Sequence, residues 1–110
     1  MTQREARILF TKGLTELVQW ANQQPGCEVA YGRDYDESDP KELRHRKGSL
    51  HYLGLANDLA LYLNGVYQKQ TEAYEFMGVK WEAMHPDYRW GGRFKKADGN
   101  HFSIAFGGRA

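Results

Sequence analysis

The 110-residue sequence has one cysteine, three prolines and no excess of either charge, fifteen Lys and Arg standing against fourteen Asp and Glu. With Cys27 alone, there is no intramolecular disulfide and no thiolate-rich structural metal site, so any metal must be held by His and carboxylate. Near-neutrality at +1 removes the electrostatic case for nucleic acid as the main partner. No apolar run approaches the ~20 residues that span a bilayer, which argues against stable membrane insertion. The N-terminus lacks the charged start and apolar block of a secretory signal, so the chain is expected to be made and folded in the cytoplasm. Few prolines beside an aromatic content of 14% argue against disorder, and the length suits one domain, residues 1–110.

Between Glu5 and Gln24 the apolar residues Ala6, Leu9, Phe10, Leu14, Leu17, Val18 and Ala21 recur every three or four positions, the pattern of a helix with one buried stripe. Gly26 ends it, and Gly13 inside it marks close packing. Cys27 to Tyr31 reads as a short strand. Cys27 follows a helix C-terminus, the wrong setting for an activated thiol. Gly32 to Gly48 is charged and aperiodic and reads as a long polar loop, either a solvated surface or a rim in which Arg44 or Arg46 offers a cation to an acidic substrate.

Leu55 to Leu63 alternates. Asn57, Leu59, Leu61 and Leu63 share one face, and Ala56, Asp58, Ala60 and Tyr62 the other. Asn64-Gly65 signals a two-residue hairpin returning through Val66-Tyr67-Gln68. A second helix is expected from Thr71, capped by its hydroxyl, with Gly78 as an interruption that allows two shorter pieces and His85-Pro86 as the stop. Trp90-Gly91-Gly92 reads as a tight turn, and His101 to Phe106 as a last strand with His101, Ser103 and Ala105 on one face. The fold class is therefore α+β, a small antiparallel sheet with helices packed on one face.

Two histidines and two aspartates in these elements suffice for a zinc site and its base. His51, Asp58 and His101 supply three ligands, the number typical of a catalytic zinc that keeps a position for water, and Asp98 is the spare carboxylate. Taken singly, each has a plainer reading: a lone histidine on a strand is more often structural, and an aspartate before glycine is usually a turn residue. His45 and His85 fall outside the constellation. A Ser49-His51-Asp58 triad lacks a nucleophile-elbow sequence around Ser49.

The four residues belong to a longer pattern, Ser49-x-His51-x-x-Gly54-x-Ala56-x-Asp58, then Trp90-Gly91-Gly92, then Asp98-x-x-His101-Phe102. From about residue 10 to residue 106 the chain resembles the D-alanyl-D-alanine carboxypeptidase and L-alanyl-D-glutamate peptidase family of zinc metallopeptidases, above all its short phage and prophage members. The resemblance implies a Hedgehog/DD-peptidase-like fold, Zn2+ on His51, Asp58 and His101, and Asp98 as catalytic base. Ser49 would bond the loop backbone or the substrate, and Trp90 would line the cleft or plug the core. Family members often carry a substrate-binding arginine after the first strand. That position falls on Asp36 here, and Arg33 could take the role from a shifted register.

The implied activity is hydrolysis of a peptidoglycan stem-peptide bond by a monomer, foremost as an L-alanyl-D-glutamate endopeptidase acting as a phage or prophage lysin that reaches the wall through a holin. A D-alanyl-D-alanine carboxypeptidase or dipeptidase is the alternative within the same chemistry. A non-catalytic zinc-holding domain, as in Hedgehog signalling, is the alternative from another class, and the intact Asp98 argues against it. A metal-dependent nuclease using His51, Asn100 and His101 is the remaining rival, disfavoured by the charge balance.

Overall fold

The computed structural model describes residues 1–32, 35–36, 39–43 and 50–110. Helix α1 (Gln3–Asn22) begins two residues earlier than its apolar stripe suggests, because Thr2 and Glu5 form a capping box. The Thr2 hydroxyl accepts from Glu5 N at 3.1 Å, and Thr2 N donates to the Glu5 carboxylate at 2.8 Å. Two donors that the first turn leaves without intrahelical partners are thereby satisfied.

A five-stranded antiparallel sheet follows. Strands β1 (Cys27–Tyr31), β4 (Ala56–Leu63), β7 (His101–Ile104) and β6 (Tyr88–Trp90) lie side by side in the order β1-β4-β7-β6, and β5 (Val66–Tyr67) folds back on the far end of β4. The β4–β5 turn is the expected Asn64-Gly65 hairpin, with φ of 50° and 81°, a left-handed pair that glycine and asparagine tolerate best. Between β7 and β5 the flank of β4 is completed by a side chain: the Tyr74 hydroxyl accepts from Leu61 N at 3.1 Å and donates to Gln68 O at 3.0 Å.

Helix α2 (Glu75–Met84) is preceded by a 3-10 turn, Thr71–Tyr74. The expected Thr71 cap is absent: the cap position falls on Gln70, whose side chain makes no capping bond. Nor does Gly78 break the helix. It lies in the interior of α2 because the Trp90 indole occupies the space a Cβ would fill. His85, extended at φ −161°, ends the helix before Pro86, and its Nδ1 accepts from Asp87 N, a local structural role. The region 32–48, expected as an unstructured loop, contains a small antiparallel ladder of β2 (Tyr35–Asp36) with β3 (Asp39–Leu43). Pro40 is tolerated there because, among the described residues, the ladder has only two strands and each keeps one outer edge.

Both helices cover one face of the main sheet, as the leucine face of β4 implied. Ala6, Phe10, Leu14, Leu17 and Ala21 of α1 and Met77 and Trp81 of α2 form a core with Leu59, Leu61, Phe102, Ile104 and Tyr88. Trp81 is its centre. Its ring stacks on Tyr88 at 3.8 Å and meets Phe10 and Phe102 edge-on, and its indole N–H is shared between Arg89 O and Ser103 O. Tyr88 then reaches across to α1, where its hydroxyl donates to Leu9 O and leaves no room for a side chain at Gly13. At the other end of α1 the Asn22 amide bonds both N and O of Val29 in β1, at 2.8 and 3.2 Å. Helix α1 is thus fixed to the sheet at two points along its length, and both helices lie on the face opposite Asp58 and Ala60.

Candidate metal centre

Three side chains converge at the β4–β7 junction on the face away from the helices. Asp58 and His101 stand directly opposite one another in the β4–β7 register, so the alternation of both strands sends them to the same side. His51 arrives from a 3-10 turn, Leu50–Leu53. The turn is anchored by burial of Leu50 and Leu55, and it closes through Leu55 N to Leu50 O at 2.9 Å, with Gly54 at φ 73°. A left-handed residue at this point turns the chain sharply into β4, which is why a glycine stands there.

The donor atoms form a compact triangle. His51 Nε2 lies 3.2 Å from His101 Nδ1 and 3.6 Å from Asp58 Oδ1, and His101 Nδ1 lies 3.9 Å from Asp58 Oδ1. Both histidines are almost enclosed, at 8% and 7% exposure, and the Asp58 side chain is 18% exposed. For tetrahedral zinc with bonds near 2.0–2.1 Å, ligand atoms are separated by about 3.3 Å. The triangle therefore fits that ion with adjustments of a few tenths of an ångström. Two imidazoles and one carboxylate are also a donor set suited to it.

Asp98 sits on the loop that delivers His101. His101 N donates to Asp98 O at 3.1 Å, so Asp98 to His101 is one turn, and Asp98 N donates to Gly91 O at 2.9 Å. A Cβ at Gly91 would overlap the Asp98 carbonyl and lie 2.7 Å from His101 Cβ, so the Trp90-Gly91-Gly92 segment is glycine-rich where the loop presses against it. Asn100 O accepts from Leu59 N at 2.9 Å, tying the turn to β4.

Trp90 belongs to this support rather than to the cleft wall. It pairs with Phe102 in the β6–β7 register and so faces the helices, it is 4% exposed, and its indole N–H donates to Gly99 O at 2.7 Å. Arg93 lies over its ring, 5.5 Å from the centroid, and pairs with Glu82 of α2. Arg33, Arg44 and Ser49, named from the sequence, lie outside the described residues, as does the side chain at Asp36.

A cleft of about 450 Å³ opens beside Asp58, bounded by Ala30, Gly32, Ala60, Tyr62, Tyr67 and Asn100. Across Tyr67 and Asn100 it adjoins a smaller hollow that contains Asp98, Lys69 and Thr71. Tyr62 and Tyr67 were not singled out from the sequence as site residues, and Asn100 was named only for the nuclease rival. The alternation that places Asp58 outward carries Tyr62 with it, and the hairpin brings Tyr67 alongside.

A family described as D-alanyl-D-alanine carboxypeptidase matches residues 44–104, more than half of the chain. The chain belongs to this family. No curated protein matches it. The span matched by the D-alanyl-D-alanine carboxypeptidase family includes His51, Asp58, Asp98 and His101 together with the Trp90-Gly91-Gly92 support. The protein is accordingly a peptidase of a metallopeptidase family, with a His-Asp-His cluster able to hold a metal ion. Among the described residues no helix is long and apolar enough to cross a membrane.

Proposed function

We propose that the protein is a zinc-dependent peptidoglycan peptidase that hydrolyses the L-alanyl-D-glutamate bond of the stem peptide, a lysin of the phage or prophage kind. It acts as a monomer and reaches the wall after a holin opens the membrane. The observation that carries the reading is the His51–Asp58–His101 triangle, with concave surface beside Asp58 that continues around to Asp98. A carboxypeptidase needs a site that stops at the chain end. Concave surface that does not end at the cleft but runs on into the hollow at Asp98 suits a bond inside a chain.

His51, Asp58 and His101 would hold the zinc, which would supply Lewis acidity and a water acidic enough to lose its proton near neutral pH. The residues do the rest. With a divalent ion held by two imidazoles and one carboxylate, the site would keep a residual positive charge, which favours an acidic substrate such as a D-glutamate peptide. Asp98 takes the proton of the attacking water and returns it to the leaving amine, a role typically worth 10²- to 10⁴-fold in rate. Gly32 and Ala60 keep the floor beside Asp58 low, so an extended peptide can lie close to the sheet.

Mass spectrometry of purified peptidoglycan digested with zinc-loaded protein tests this, with Asp98→Ala as control. Fragments cut between L-Ala and D-Glu are expected. Loss of terminal D-Ala alone would move the protein to the carboxypeptidase reading, and no cleavage despite bound zinc would favour a binding domain.

A further inference from the structure

The face of the sheet away from the helices carries an aromatic pair that the chemistry at Asp58 does not use. Tyr62 on β4 and Tyr67 on β5 are cross-strand partners, with ring centroids 5.5 Å apart and planes tilted by 54°. Tyr62 is 37% exposed and Tyr67 45%. Solvent-facing strand positions are ordinarily polar, yet the stretch from this pair back to Asp58 is floored by Ala60, Ala30 and Gly32. The result is a shallow, low-floored trough with two phenol rings at one end and Asp58 at the other.

We propose that Tyr62 and Tyr67 form a subsite for the N-acetylated sugar that carries the stem peptide, so that the substrate is the glycan-linked peptide rather than the free one. This rests on the L-alanyl-D-glutamate reading, because that bond lies one residue from the glycan. From Asp58 to Tyr62 is four residues of strand, or ~13 Å. On the substrate side, one alanine spans ~3.6 Å and a lactyl bridge about as much again, so the sugar ring begins ~7 Å from the scissile carbonyl and ends near ~12 Å. The two spans agree. A pyranose ring presents a face of C–H groups with slight positive charge, which packs against the negative face of an aromatic ring as a positive ring edge does. The two phenol hydroxyls supply polar contacts to sugar hydroxyl and acetamido groups. The charge balance of +1 that disfavours polyanions has no bearing on a neutral sugar face.

The test is titration of zinc-loaded Asp98→Ala protein with N-acetylmuramyl-L-alanine, which has no bond to cut, followed by amide chemical shifts. Shifts at Ala30, Ala60, Tyr62 and Tyr67 are expected. Tyr62→Ala or Tyr67→Ala should each weaken binding by roughly 3- to 10-fold, with Phe at either position restoring most of it. Both side chains are exposed, so neither change endangers the fold, and Val66→Ala at the neighbouring exposed position serves as the control that should bind normally. Absence of these shifts, or equal binding by the alanine variants, would overturn the subsite. Sugar binding without L-Ala–D-Glu cleavage would sink the bond assignment and leave the subsite standing. Cleavage of free and glycan-linked peptides with equal kcat/KM would sink the subsite and leave the bond assignment intact.

Discussion

Substituting Gly91→Ala probes how tightly the catalytic loop is set against its support. The added Cβ would overlap the Asp98 carbonyl and crowd His101 Cβ at 2.7 Å, both on the Asp98–His101 turn. Neither obstacle is the far end of a flexible side chain, so the loop itself must retreat by about 1 Å, at the ~1–3 kcal/mol typical of overpacking. For a chain of 110 residues, with an unfolding entropy of ~2.1 cal/mol/K per residue, this lowers Tm by roughly 4–13 °C. The retreat also carries His101 away from His51 and Asp58, whose donor atoms lie only 3.2 to 3.9 Å from it and from one another. Zinc affinity should therefore fall with stability, and turnover should fall by ~10²-fold, the effect of a 1 Å misplacement in a catalytic constellation. Thermal unfolding with and without zinc, and competition against a chromophoric chelator, measure the two losses separately. A variant with unchanged Tm and unchanged zinc affinity would refute the claim that the glycine exists to admit the loop.

Other perturbations separate the roles further. Trp90→Phe keeps the ring packing but strands the Gly99 carbonyl that the indole N–H now serves, and should cost ~1–3 kcal/mol in chemical denaturation; a loss below 0.5 kcal/mol, on the same order-of-magnitude scale, would show that water replaces the bond. Asp98→Ala should retain stoichiometric zinc and lose 10²- to 10⁴-fold or more in rate, whereas His51→Ala and His101→Ala lose metal as well; zinc loss from Asp98→Ala would place that carboxylate among the ligands. Burial raises the pKa of the Tyr74 and Tyr88 hydroxyls above the usual phenol value. Since their folded-state values exceed the unfolded ones, the stability they contribute is fully present below the ordinary phenol pKa and is lost as pH rises through the raised values. Denaturation midpoints should thus drop steeply above about pH 10, and less steeply in Tyr74→Phe; equal slopes would contradict the assignment.

Much of the architecture was legible because period-2 and 3.6 patterns are strong where one face is buried. Leu59 and Leu61 against Asp58 and Ala60 set both the strand and the side on which the ligands emerge. Asn64-Gly65 and His85-Pro86 act through backbone sterics that need no tertiary context. Strand β6 was missed because Tyr88-Arg89-Trp90 is too short to show a period, and its pairing with β7 is a long-range fact. Gly78 read as a break because sequence cannot show that the Trp90 ring fills its place. The capping box at Thr2 and Glu5 was readable but was overshadowed by an apolar stripe that starts later. The ligand residues could be named from their pattern, whereas the spacing of their donor atoms depends on the β4–β7 register. The tyrosine pair drew no notice because an exposed aromatic is unremarkable until its neighbours are known.

The amide of Asn22 has a consequence for how molecules of this protein meet one another. Strand β1 lies at the margin of the main sheet, and such margins invite a second chain to add on. By bonding both Val29 N and Val29 O, Asn22 occupies the central rung of that margin with a side chain shaped like a peptide group. A single residue at the end of a helix thereby stands in for the neighbouring strand that another copy would otherwise supply. It closes that rung of the edge without spending any charge on the task.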